Sequence, residues 1–380
     1  MENEKTAKGS LVDLAGSGAG RCRAAVFPGK YLQGPGTLAL AGKAAAELGE
    51  KTLVIGGKTA LAESWEQIKT ALADEEIDFD LFQFSGESTV KEIETAATRA
   101  AEISAELVIG VGGGKAIDTA KAAACKAGAR AIIIPTIAST DAPTSTISVI
   151  HDERGHFMEY YRSRRNPDVV IADTRVLARA PARYLCAGIG GALAVSYEAE
   201  AAAEAGALNM AGGLPFQAVI KWAVMAREII FEQARMAKLS ADRNLVTPSL
   251  ESIVEANLFL SGIGFESGGL AAAHGVYHGF RSGMPGLKRL HGEVVAFGTL
   301  VQLVLEKRPE AELRPVVELY KSLDLPLSFK DLGLHEPGMD LLKEVARHAC
   351  EAGTTRNMPF DVDSAMMLDA LLFVDAFSRN

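Results

Sequence analysis

The 380-residue chain has four cysteines, Cys22, Cys125, Cys186 and Cys350, and no two of them form a CxxC pair. That excludes a cysteine zinc site and argues against a disulfide framework, so reduced thiols in a cytoplasmic protein are expected. Aromatic residues are also scarce, at 6% against a hydrophobic total of 48% rich in alanine, the composition of a helix-rich soluble enzyme. No apolar run approaches the length of a membrane span. Basic residues are outnumbered, 39 Lys and Arg against 48 Asp and Glu, and the net charge of −9 argues against nucleic acid as a partner. The only tight basic cluster, YYRSRRNP, reads as a solvated turn. Residues 1–20 lack the apolar centre of a signal peptide and read as a flexible leader.

What is present divides into two grammars. Up to about Asp173, short apolar runs (TLVIGG, FDLFQF, AELVIGVGGG, RAIIIPT, PDVVIADT) alternate with amphipathic helical patterns. Compact β-branched runs between helices predict a parallel sheet covered on both faces. ISVIHDERGHFMEYY differs, with two strand-like runs around a charged turn, and predicts a hairpin beside that sheet. After about Leu177 long alanine-rich helical segments take over, the last running from Ser249 through Phe280. The expected fold is an α/β parallel-sheet domain over residues 21–177 followed by an all-α domain over 178–380, with a ligand crevice between them.

Two stretches carry chemistry. ELVIGVGGGKAIDTAKA passes from a strand through Gly112, Gly113 and Gly114 into a helix, where bare backbone and a helix N-terminus suit a pyrophosphate. It is neither a spaced GxGxxG fingerprint nor a Walker loop, and a tight strand–helix turn without a ligand is the plainer alternative. In AAAHGVYHGFRSGMPGLKRLHGE, three of the seven histidines, His274, His278 and His291, fall close together. A buried helix with satisfied histidines is the plain reading; a cluster of imidazoles is also what a borderline metal ion selects.

The order of PGKYLQGPG, GVGGGKAIDTAKA, PTIASTDAPTS, NPDVVIADT, LSGIGFESGGLAAAH and HGEVVAFGTL resembles the glycerol dehydrogenase branch of the iron-containing alcohol dehydrogenase superfamily, from about Val26 onward. The resemblance implies the two-domain architecture shared with dehydroquinate synthase. It further implies NAD-dependent, metal-assisted oxidation of a secondary alcohol, most simply glycerol or a related polyol, by a homo-oligomer with no nucleic-acid or membrane partner. At matching positions Gly112, Gly113, Gly114 and Lys115 would cradle the pyrophosphate, with Asp118 nearby. Thr136 and Ser139 would line the adenine and phosphate side, and Ser145 and Ile147 the nicotinamide side. Asp141 would meet the substrate hydroxyls, although a turn or helix-cap role suits the following Ala-Pro equally. His274 and His291 match the two metal-binding histidines, for Zn2+ in preference to Fe2+.

Three positions depart from that pattern. GIGGALA places Gly191 where the family motif has a ligand aspartate, leaving two ligands where catalytic zinc takes three. TLVIGGK places Gly57, followed by Lys58, where a carboxylate would hold the adenosine ribose, which opens the site to NADP. Tyr277 stands where glycerol dehydrogenases carry a histidine, and His278 follows His274 by four residues, on one helical face. His278 is therefore either a catalytic imidazole beside the nicotinamide or a surface or core residue. Alternatives to a polyol dehydrogenase are a hydroxy-acid dehydrogenase of the same fold, a dehydroquinate synthase-type lyase, for which the cleft carries too few cations, and a degenerate relative that binds dinucleotide with impaired turnover.

Overall fold

The computed structural model describes residues 22–377 apart from Pro285; the leader expected over residues 1–20 lies outside them. The first half runs β1 (Lys30–Gly34), α1 (Ala41–Ala46), β2 (Lys51–Gly57), α2 (Lys58–Asp74), β3 (Asp78–Phe84), α3 (Val90–Glu102), β4 (Leu107–Gly112) and α4 (Gly114–Ala127). It continues through β5 (Arg130–Pro135), β6 (Ile147–His151), β7 (Phe157–Arg162) and β8 (Val169–Asp173). Six of these strands form one parallel sheet in the order β1-β8-β5-β4-β2-β3.

The inner strands bury both faces. Val54 and Ile109 face α2, which contributes Ile68 and Leu72. Leu53, Ile55 and Val108 face α3 and α4, which contribute Ala96, Ala100, Ile117 and Ala120. Burial on both sides is why β2 and β4 read as continuous apolar runs rather than alternating ones. It also places α2 and α4 on opposite faces, so the winding reverses between the neighbouring strands β2 and β4. The carboxyl ends of these two strands are the position at which an open α/β sheet usually takes its ligand. β1 has no counterpart in the strand pattern of the sequence: KYLQG carries neither Val nor Ile, and it joins the sheet at an edge beside β8. β6 and β7 form the expected antiparallel ribbon, irregular between Ile150 and His151, and Ile150 packs on Ala122 of α4.

Among the described residues every element after β8 is helical: α5 (Thr174–Arg179), α6 (Ala182–Glu204), α7 (Gln217–Asp242), α8 (Pro248–Val254), α9 (Ser261–Ile263), α10 (Ala272–Gly283), α11 (His291–Leu305), α12 (Glu310–Ser322), α13 (Met339–Glu351) and α14 (Ser364–Phe377). The stretch from Ser249 to Phe280 is not one helix. It widens into π-helical turns at Glu255–Leu260 and Gly264–Gly268 on either side of α9. It then stops at Gly269, whose φ of +123° only glycine adopts readily, before α10 begins. That break frees α10 to carry its histidines at an angle of its own. The two halves are joined at depth by Asn257, whose Nδ2 donates at 3.0 Å to Ala138 O and at 3.0 Å to Leu185 O. No helix of the described residues is long and apolar enough to cross a membrane.

Candidate active site

The glycine run closes β4 and opens α4. Gly112 has φ +150°, and the N–H of Thr136 donates to its carbonyl at 3.0 Å, drawing the next loop over the turn. α4 starts without a side-chain cap, so its first N–H groups are left for an anion. A Cβ on Gly113 would lie 2.7 Å from Ile137 Cδ1, whereas at Gly114 the nearest atom is Thr140 Oγ1 at 3.5 Å. Thr136 and Ser139 are buried on the loop after β5. Lys115, at the rim, forms an ion pair with Glu87.

Asp118 and Lys121 lie one and two turns along α4 and face inward. Asp118 Oδ2 accepts the Val149 N–H of β6 at 3.0 Å, and its Oδ1 is 3.1 Å from Lys121 Nζ. Lys121 Nζ also donates to the carbonyls of Ala142 at 2.8 Å and Ser145 at 3.2 Å, and to that of Ile147. This buried cation, which the sequence motifs did not single out, sets the path of the chain from residue 142 to residue 147. Ser145 and Ile147 are thereby fixed beside α4. Asp118 thus ties α4 to β6 through Oδ2, while its Oδ1 is paired in charge with Lys121.

Across the crevice α10 presents His274, Tyr277, His278 and Arg281, and α11 begins at His291. The rings of His274 and His291 are 5.2 Å apart, and Tyr277 packs edge-on against His291 at 4.4 Å. Glu198 of α6 is fully buried beneath them. Its Oε2 lies 2.6 Å from His274 Nδ1, while Oε1 accepts the N–H groups of Ala271 at 2.9 Å and His274 at 2.8 Å. The carboxylate claims Nδ1 and leaves Nε2 as the outward nitrogen of His274. Burial opposes charge on His274, but Glu198 outweighs it and raises the imidazole above its ordinary value. His291 is driven well below its ordinary value, first by burial and then by the neighbouring His274. His278 falls to about 4 through burial and the same neighbour, and its Nε2 is 3.1 Å from the hydroxyl of Tyr160 in β7. Asp141 is raised to about 6 by burial, against the pull of His274.

The structure thus sets Asp141 within electrostatic reach of His274, which in turn acts on His278 and His291. Glu198 and Tyr160 were missed from sequence. Glu198 had one signal, its spacing of seven residues from Gly191, which puts both on the same face of α6. Tyr160 had none, since its partner is 118 residues away.

The family model for iron-containing alcohol dehydrogenases matches residues 28–174. A glycerol dehydrogenase of Escherichia coli O6:H1 is 41% identical over 353 residues, 93% of this chain and 96% of that protein. The chain belongs to the iron-containing alcohol dehydrogenase family, in its glycerol dehydrogenase branch. A glycolaldehyde reductase of Halobacterium salinarum is likewise 41% identical, across 93% of this chain and 97% of its own. The glycerol dehydrogenase structure from Schizosaccharomyces pombe superposes with a TM-score of 0.90 at 32% identity, covering 94% of this chain and 92% of that one.

Within this iron-containing alcohol dehydrogenase the aspartate position of the metal motif is open. A Cβ placed on Gly191 meets nothing within 4 Å. Among the described residues no three His, Cys, Asp or Glu side chains come together as a ligand set. His274 and His291 fit a divalent ion as two nitrogen donors, one of them oriented by a buried carboxylate, and the space above Gly191 leaves the other positions to oxygen atoms of water or substrate. At Gly57 the backbone does not require glycine: a Cβ there would have only Phe84 Cδ1, at 3.8 Å, in range.

Proposed function

We propose that this chain oxidises the secondary alcohol of a polyol or diol to a ketone, passing hydride to NAD, and runs the reverse reduction. The observations that support it most directly are the His274–Glu198–His291 cluster with Asp141 in its electrostatic reach, and an α4 that starts without a side-chain cap at the glycine run. In this reading Gly112, Gly113, Gly114 and Lys115 hold the pyrophosphate, Thr136 and Ser139 line the adenine and phosphate side, and Ser145 and Ile147 line the nicotinamide side. Asp118 acts through β6. His274 and His291 hold the divalent ion, Zn2+ in preference to Fe2+, which when bound supplies Lewis acidity to the substrate oxygen. The dinucleotide performs the redox step; the protein aligns the carbinol carbon with it. Asp141, with its affinity for a proton shifted to about 6, takes up the hydroxyl proton at neutral pH. Neutral His278, steadied by Tyr160, closes the nicotinamide side.

NADP is admitted as a second acceptor because no carboxylate stands at Gly57 and Lys58 follows. Exposed Met225, Met236 and Leu239 on α7, with Leu245 beyond it, support self-association. The four free cysteines support a reducing, cytoplasmic setting. The test is nucleotide reduction on glycerol and short diols, with and without added zinc. Absence of reduction with either nucleotide under every metal condition defeats the reading. The open space at Gly191 favours one alternative, a relative that binds dinucleotide without turnover, which would show calorimetric nucleotide binding and no reduction.

A further inference from the structure

An open hollow of about 450 Å³ lies where the two halves meet, and none of the residues that line it belongs to the candidate active site. That volume falls in the range of small-ligand sites. Four of its nine lining residues are aromatic. Phe27 and Tyr31 come from the first half, Trp222 from α7 and Phe259 from the π-helical turn Glu255–Leu260. The rings meet in pairs across the boundary, Phe27 with Trp222 at 5.9 Å edge to face and Tyr31 with Phe259 at 4.8 Å. Aromatic residues make up only 6% of the sequence, with two tryptophans, so four rings at one hollow are a concentration. Core packing does not account for it, since Phe27 is 44% exposed.

The polar side chains of the lining are engaged, with one exception. Lys30 is paired with Glu47. Gln33 accepts the Tyr31 hydroxyl at 2.9 Å, and its amide donates to Glu251 O at 2.9 Å and Glu251 Oε2 at 3.0 Å. Glu255 is exposed, and among the described residues no cation pairs with it. Its charge reaches into the hollow: burial first, then Glu255 and Glu251, push the Tyr31 phenol above its ordinary value. Glu255 also opens a π-helical turn, an irregularity that recurs at functional sites. Asn257 anchors that turn to Ala138 O and Leu185 O, which fixes Glu255 and Phe259 in place.

Aromatic rings attract positive charge to their faces, and an unpaired carboxylate adds to the pull. A guanidinium or primary ammonium brings a fan of N–H donors that one carboxylate cannot fill, whereas a fully methylated ammonium brings none. We infer that this hollow binds a small quaternary ammonium compound, its cationic head held by the four rings and Glu255.

The experiment titrates the full chain with choline and with 3,3-dimethyl-1-butanol, which has the same shape without the charge, by calorimetry and tryptophan fluorescence. The second tryptophan, Trp65, packs on Phe79 in the α/β half, so a response lost in Trp222→Leu reports on the hollow. Choline is expected to bind saturably and change the fluorescence, with the neutral analogue at least about tenfold weaker. Glu255→Gln should weaken choline by roughly 3- to 30-fold and leave the neutral analogue unmoved. Trp222→Leu should weaken choline by a similar factor and abolish the fluorescence response. Should Trp222→Leu not fold, Glu255→Gln decides alone, because it is an exposed change that keeps the shape of the side chain. No saturable binding, equal affinity for the two compounds, or choline affinity unchanged in Glu255→Gln overturns the proposal. So does a native chain that ignores choline while Trp222→Leu lowers its mass in light scattering, since that marks the hollow as a contact between copies.

Discussion

Tyr160 Oη and His278 Nε2 stand 3.1 Å apart, joining the β6–β7 ribbon to α10 across the mouth of the crevice. Arg162, whose guanidinium donates to Met210 O at 2.8 Å, and Thr146, whose N–H donates to Glu266 at 2.9 Å, tie the ribbon and its start to other helical segments, so the Tyr160 bond is its tie to α10. Tyr160→Phe keeps the ring packing against Phe157 and removes the bond. Faster hydrogen exchange is expected across β7, with a several-fold loss of kcat/KM, consistent with one neutral hydrogen bond worth about 1 kcal/mol. Unchanged exchange would show that the bond contributes nothing to closure.

Asp141 should impose an acid limb on the rate. Its carboxyl is raised to about 6, chiefly by burial, and must be ionised to accept the hydroxyl proton. Oxidation is therefore slow below that value and rises with pH through it, the sign expected of a general base. Asp141→Asn should lose both the limb and most of the rate. A pH–kcat/KM profile retaining the limb in Asp141→Asn would assign the titration elsewhere.

Restoring a carboxylate at Gly191 should have opposite effects on the protein with and without metal. Nothing obstructs the new side chain. Without metal, Gly191→Asp sets an unpaired carboxylate in a partly buried position and lowers Tm. With zinc, affinity should rise by at least the roughly 10- to 100-fold that even outer-shell partners contribute, and Tm should recover. Zinc titration followed by calorimetry and thermal unfolding checks both. Tight stoichiometric zinc in the native chain, unaltered by the substitution, would point to a different third ligand.

Glu198 is a stability element as well as an orienting one. Glu198→Gln leaves acceptors for the Ala271 and His274 N–H groups but removes the charge opposite the imidazole. Breaking such a buried pair costs about 3 kcal/mol, measurable by denaturant unfolding of the metal-free protein. An unchanged midpoint would mean that His274 is neutral in the native state.

At the ribose position, Gly57→Asp should fit without rearrangement, since the new Cβ would stand 3.8 Å from Phe84 Cδ1, an ordinary van der Waals contact. The NAD-to-NADP ratio of kcat/KM should rise by about tenfold or more, equivalent to roughly 1.4 kcal/mol. A ratio that does not move would place the ribose elsewhere.

The inner sheet was legible because strands buried on both faces must be apolar throughout, and β2, β4, β5 and β8 announce themselves that way. β1 escaped because an edge strand needs no such run. The continuous helix expected from Ser249 to Phe280 failed at Gly269: helical periodicity persists through Phe259 and Leu260, and π-turns do not alter composition. In the site, the glycine loop and the paired histidines were readable as local motifs. Glu198 was hidden among alanines, and Tyr160 acts through a partner that spacing along the chain does not encode. Burial of Lys121 was equally invisible, since lysine on a helix ordinarily reads as a solvated face.

Asn257 supplies the last consequence. One amide group, with both of its hydrogens committed, grips a carbonyl from the loop after β5 and another from α6. Beside it Thr144 donates to Leu258 O, Glu266 accepts from Thr146 and Asn166, and Glu251 accepts from Gln33 and Thr174, so the halves meet along a line of bonds rather than at one point. Relative motion of the halves would then bend them along a seam, with Asn257 as one stitch in it.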